Sequence, residues 1–113
     1  MPRDYRVFLD DILEAARKVL AYTAGLSQVQ FFSDRKTVEA VVWNPQIIGE
    51  AAKNVPEEIR SRYPDVPWRD MAGLRDIIVH QYFGIKLDVI WKVIQNDLPS
   101  VEYQVRDILK QQD

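Results

Sequence analysis

Arg75, Asp76, His80 and Tyr82 stand together in the run RDIIVHQY, and His80 is the only histidine in a 113-residue chain that has no cysteine. An imidazole with a reference pKa of about 6.5 gives and takes protons near neutrality. Asp76 and His80 are four residues apart, so on a helix the carboxylate can hydrogen-bond the ring, fix its tautomer and favour its protonated form. Arg75 carries a fork of donors suited to phosphate oxygens. A structural reading stands beside this one. His80 can end a helix, where a cation favours the carbonyl dipoles, with Asp76 only its ion-pair partner, and Tyr82 can be a half-buried aromatic with its hydroxyl in water. Thiolate zinc sites, disulfide frameworks, cysteine nucleophiles and any multi-histidine metal centre within one chain are excluded, so the expected metal and cofactor complement is none.

These residues need a helix to position them, and the segment from Trp68 to about His80 has the required periodicity. With Arg75 at 0° and about 100° per residue, Met71, Leu74, Ile77, Ile78, Gln81 and Tyr82 fall between about 200° and 340°, the face expected to pack inward. Val79, Ala72, Asp76, Arg69, His80 and Gly73 occupy the arc from about 40° to 160°. Ala72 and Gly73 are small enough there for another backbone or a ligand to approach. Arg69 lies between Asp76 and His80 on the wheel, though more than a turn from Asp76 along the axis. Arg75 stands about 140° from His80, so a straight helix does not aim both at one phosphate. Either the helix distorts near His80, or a second chain completes the site.

The remaining elements are also helical. From Tyr5 to Leu26, apolar residues recur at Phe8, Ile12, Ala15, Ala16, Val19 and Tyr22, with a second stripe at Leu9, Leu13 and Leu20, which predicts a long helix with a wide apolar face. Asp10, Asp11 and Glu14 on it suggest a metal cluster at first sight, but Glu14 and Lys18 stand four apart on the exposed side, as on a solvated face. Gly25, Leu26 and Ser27 close that helix, the segment SQVQFF follows, and Ser33 or Asp34 is placed to cap a second helix. Its core face reads Val38, Val41, Val42, Ile48, Ala52 and Val55. Pro45 lies in this phase and cannot donate to the carbonyl of Val41, which predicts a kink near Trp43 to Pro45 rather than a split, because the phase survives it. NVPEEIRSRYPDVPW reads as a structured connection with one helical turn at Pro56 to Arg62. Leu87 to Asp97 forms another helix through Leu87, Ile90, Trp91 and Ile94, and Pro99 starts a last one through Val101, Val105, Ile108 and Leu109.

No stretch alternates with period two for long enough to argue a strand. The expectation is an all-α bundle of four or five main helices in one domain over residues 1–113. Fifteen basic residues against seventeen acidic give a formal charge of −2, without the global basic excess of a non-specific DNA binder. No apolar run approaches the roughly 18 residues of a membrane span, and the N-terminus MPRDYRVFLDD is charged from its third residue, unlike a signal peptide. A soluble, cytoplasmic protein is expected.

The run Arg75-DIIV-His80-Gln81-Tyr82 resembles the R-x-x-x-x-H-x-Y mark of the HepT-like toxins of the HEPN superfamily (higher eukaryotes and prokaryotes nucleotide-binding), with a polar Asp76 directly after the arginine. The surrounding IIGEAAKNVPEEIRSRYPDVPWRDMAGLRDIIVHQYFGIKLDVIWKVIQNDLP is similar to the family's core from the Gly-Glu-Ala helix to the tryptophan helix. Pro45 departs from the uninterrupted second helix expected there. The resemblance implies a HEPN-type bundle and a homodimeric, metal-independent endoribonuclease, the toxin of a type VII toxin-antitoxin pair. Its antitoxin would be a nucleotidyltransferase that moves AMP from ATP to the motif tyrosine, here Tyr82.

Arg75 and His80 would be catalytic, with Asp76 biasing the imidazole and Arg69 helping to hold the RNA backbone. Glu50 is either a buried carboxylate that positions Arg75 or an exposed residue paired with Lys53 or Asn54. The partners implied are a second copy of the chain, RNA and the antitoxin, with no membrane and no DNA. Relatives that bind nucleotides or act as scaffolds without cutting RNA keep open the alternative of a non-catalytic partner of a nucleotidyltransferase.

Overall fold

The computed structural model describes residues 4–80 and 87–111, with residues 75–80 and 87 described by backbone course alone. Every element among them is helical: α1 (Tyr5–Thr23), α2 (Gln28–Ser33), α3 (Arg35–Asn54), α4 (Glu57–Arg62), α5 (Trp68–His80), α6 (Leu87–Lys92), a π turn (Val93–Asp97) and α7 (Leu98–Gln111). This is the all-α architecture expected. Helix α3 is the centre, packed on α1 along one side and on α5 along another, while α7 closes against α1.

The helix ends are set by local chemistry. Gly25, at φ +78°, turns the chain after α1, and the Leu26 N–H donates to the Thr23 carbonyl at 3.1 Å. That conformation favours glycine and ends the helix at Thr23, at the Gly25 to Ser27 stop expected from the sequence. The segment SQVQFF becomes α2 through reciprocal bonds. The Gln30 N–H donates to the Ser27 hydroxyl at 3.1 Å, and the Ser27 N–H donates to the Gln30 side-chain oxygen at 2.9 Å. Asp34 joins α2 to α3. Its N–H donates to the Phe31 carbonyl at 3.2 Å, while its carboxylate accepts the Thr37 N–H at 3.2 Å and the Thr37 hydroxyl at 2.8 Å.

Two prolines are absorbed without breaking a helix. Pro45 is buried inside α3, which continues through it and does not split. Missing its N–H, the proline leaves the Val41 carbonyl without the usual helical donor. Side-chain amides donate to carbonyls on either side of that gap, Asn44 to Ala40 at 2.9 Å and Gln46 to Val42 at 3.5 Å. Pro99 falls in the first turn of α7. Instead of two separate helices, α6 and α7 form one continuous helical run, because the π turn precedes the proline and the Leu98 N–H reaches the Val93 carbonyl five residues back.

A single apolar cluster draws on all the helices. Leu9, Ile12, Ala16 and Val19 from α1 meet Phe31, Val41, Ile48, Met71, Ile94, Val101 and Val105. Phe31, fully buried, stacks on Trp91 with ring centroids 5.3 Å apart, which ties α2 to α6. Tyr22, expected on the core stripe, is exposed, and Thr23 takes the buried position at that end of α1. The Thr23 hydroxyl is satisfied by the Val19 carbonyl at 2.8 Å, so burying it carries no unpaired polar group. Among the described residues no helix is long and apolar enough to cross a membrane.

The caps predict an acid limb of stability. The Thr37 hydroxyl and backbone N–H bonded to Asp34 hold its carboxyl below the usual carboxylate value. A depressed folded pKa adds stability that is fully present above the unfolded value of about 3.9 and is lost as pH falls through the folded pKa. Asp34→Asn still caps but does not titrate, so urea midpoints measured between about pH 5 and pH 2 should fall less steeply than in the parent chain. Parallel slopes would refute this role for Asp34.

Candidate functional site

Helix α5 carries Arg69, Arg75, Asp76 and His80, and its start is fixed by the proline-rich connection after α4. Val66 and Trp68 are buried, and the Trp68 indole N–H donates to the Tyr63 carbonyl at 3.0 Å. The Gln104 amide donates to the Asp65 carbonyl at 3.1 Å, and the Tyr63 hydroxyl donates to the Gln111 side-chain oxygen at 3.2 Å, so α7 braces the same connection. From there α5 runs unbroken from Trp68 to His80. Its backbone shows no interruption between Arg75 and His80, and the helical offset of about 140° between them follows. The side chains of Arg75, Asp76 and His80, and all of Tyr82, lie outside the described residues.

The inward face of α5 agrees with the wheel as far as it is described, with Met71 buried and Leu74 packed against the core. Ala72 departs from it. It also packs against the core cluster, because its small side chain lets neighbouring atoms close in, and so it does not belong to an open arc. Gly73 does remain open: a Cβ placed there would meet nothing within 4 Å.

Arg69 is exposed and lines an open groove of about 420 Å³ with Arg60, Glu57 and Asp70. Glu50 is exposed as well in the single chain. Ile48 faces α5, whereas Glu50, about 200° further around α3, lines a groove of about 460 Å³ against Phe8 and Asp11 of α1. Its backbone carbonyl accepts the Asn54 amide at 2.8 Å. Glu14 and Lys18 form the expected surface ion pair at 3.3 Å. Among the described residues no three His, Cys, Asp or Glu side chains are placed to hold a metal ion together.

Sequence reasoning missed the capping box of α2, the π turn and the buried Asn44. The first was readable as Ser27 followed three residues later by Gln30. The other two had only the positions of Pro99 and Pro45 as signals.

Comparison with known proteins adds the identity of the scaffold. The pattern that defines the Ribonuclease HepT-like family matches residues 12–108. The chain is 41% identical over 111 residues to a protein of Methanocaldococcus jannaschii named as a candidate RNase, covering 97% of this chain and 92% of that one. It is 37% identical over 110 residues to the "Probable ribonuclease HepT" of Thermococcus cleftensis, covering 97% and 100%. A further protein named as a candidate RNase, from Caldanaerobacter subterraneus, is 37% identical over 107 residues, covering 95% and 96%. No solved structure gives a significant match. With helical elements throughout the described residues, an R-x-x-x-x-H-x-Y run in its sequence and a family match over most of its length, the chain belongs to the HepT-like ribonuclease family.

Proposed function

We propose that the protein is a metal-independent endoribonuclease and the toxin of a type VII pair, cutting RNA at a site shared by two copies of the chain. The observation that carries this reading is the family match spanning Arg75, His80 and Tyr82 with all three motif residues intact. The chemistry is internal transfer. A base takes the proton of the 2′-hydroxyl, the 2′-oxygen attacks the adjacent phosphorus, and the bond to the 5′-oxygen breaks as an acid protonates it. The products are a 2′,3′-cyclic phosphate and a 5′-hydroxyl. His80 acts as the proton-transfer group, Arg75 binds the phosphate oxygens as their charge grows, Asp76 biases the imidazole, and Arg69 holds the RNA backbone. Glu50, exposed in the single chain, is kept as a supporting residue.

One chain supplies one imidazole, and Arg75 and His80 are about 140° apart around an ideal helix, so a two-fold dimer is the economical way to assemble an acid, a base and a guanidinium. The open space at Gly73 is where a second chain has room to approach. A nucleotidyltransferase antitoxin would silence the site by moving AMP from ATP to Tyr82, placing bulk and negative charge two residues from His80 and repelling the RNA backbone.

Three outcomes follow. RNA cleavage should persist in EDTA and leave cyclic-phosphate ends, and His80→Ala or Arg75→Ala should lower it by at least about a hundredfold; a requirement for magnesium, or full activity in either variant, would refute the mechanism.

Gly73→Ala should stabilise the isolated chain by roughly 0.5–1 kcal/mol, since alanine is the better helix former and has room. If Gly73 faces a second copy, the same change should weaken self-association in sedimentation, and undiminished self-association would remove Gly73 from the interface.

Tyr82→Phe should retain much of the cleavage yet take up no AMP when incubated with ATP and the partner transferase, as read by mass spectrometry. AMP mapped to another residue would count against the proposed control. A chain that binds the transferase but never cuts RNA would favour the scaffold alternative.

A further inference from the structure

An apolar crevice opens between α3, α5 and the π turn, bordering the Arg69 groove at Pro67 and Asp70. Its volume is about 110 Å³, and its floor is built from Ile48, Met71, Leu74, Val93 and Leu98. An inner chamber of about 50 Å³, lined entirely by apolar residues, adjoins it through Ile48, Leu74, Val93 and Leu98. The charged residues at the crevice, among those described, are Asp70 at the start of α5 and Asp97 at the end of the π turn. Both are exposed, and neither has a hydrogen-bond or ion-pair partner among the described residues.

Size and charge together select the occupant. Small-molecule sites usually offer about 300–1,000 Å³, and an apolar cavity of about 150 Å³ takes a benzene. The crevice therefore has room for one aliphatic side chain and not for a nucleotide. Two carboxylates on different helices at the mouth repel the phosphates of RNA and attract cations. Burying one apolar anchor in a pocket, with opposite charges at the rim, is how small hot spots gain both affinity and orientation.

We propose that this crevice is a docking site for a partner polypeptide that inserts one aliphatic side chain and sets flanking Lys or Arg residues against Asp70 and Asp97. The site is independent of the RNA-cleaving reading and stands or falls separately from it.

Met71 provides the reporter, since the chain has only two methionines and the other is Met1. The full chain, labelled with ¹³C at its methionine methyl groups, is titrated with the hexapeptide amide Arg-Lys-Leu-Ile-Lys-Arg and with its counterpart carrying Glu at every basic position. The expected result is a saturable shift of the Met71 methyl with the basic peptide below about 5 mM and at least about tenfold weaker binding of the acidic one. Asp70→Asn combined with Asp97→Asn, both at exposed positions, should weaken the basic peptide by about tenfold. Val93→Phe, which fills the crevice, should abolish the shift.

Equal binding of the two peptides, no effect of the double Asn variant, or no saturable shift would each overturn the proposal. A Met71 shift that follows protein concentration without peptide would overturn it in favour of a second copy, and one produced by oligouridine would overturn it in favour of nucleic acid.

Discussion

Helix α3 has to stay one rigid element although a proline lies in its middle, and the rest of the bundle depends on that continuity. The helix holds α1 on one side and α5 on another, so a break at Pro45 would uncouple the two halves of the core. A proline in a helix interior costs about 3 kcal/mol or more through the lost bond and the clash with the preceding turn. Burial of Pro45 itself, full burial of Val41 and Ile48 to either side, and the side-chain bonds from Asn44 and Gln46 offset that cost. Asn44 is one of two buried polar residues identified in the core, and its amide is paired within its own helix, so it adds no unsatisfied group.

The same logic recurs at Pro99, with a different solution. There the helix widens by one residue, and Leu98 donates to Val93. A four-residue step between core positions drifts about 40° around an ideal α-helix, and Ile90, Ile94 and Leu98 make two such steps in succession before the spacing returns to three and four at Val101, Val105 and Ile108. The π turn lies across those steps, where wider winding offsets the drift and keeps all six residues on the core. Crevices beside Val93 and Leu98 mark where this irregular winding meets α5.

Helix α5 links this packing to function. Its buried Trp68 and Met71 are gripped by the core, and the connection before it is held by α7, so its course past Arg75 to His80 is imposed by distant elements. Glu50 and Arg69 remain on the surface, each in a different groove. A Cβ at Gly73 would meet nothing within 4 Å, whereas Ala72 beside it is half-buried against the core.

Helical class, the positions of the main helices and the placement of Arg75 to His80 on one helix were legible in the sequence, because an apolar stripe with a period near 3.6 is a property of the chain's own winding. The capping chemistry of Asp34 was legible for the same reason, since its partners lie within three residues. Tertiary structure decided the rest. Periodicity gives an angle around a helix axis but not which neighbour arrives at that angle, so Ala72 and Gly73 looked alike, Tyr22 looked buried, and Glu50 was equally consistent with burial or exposure. Proline removes a donor everywhere, but whether the helix breaks, bends or widens depends on what else can satisfy the orphaned carbonyls and on how much apolar surface is gained by staying helical. At Pro45 and Pro99 the packing of α3 and α7 against their neighbours made continuity the lower free energy.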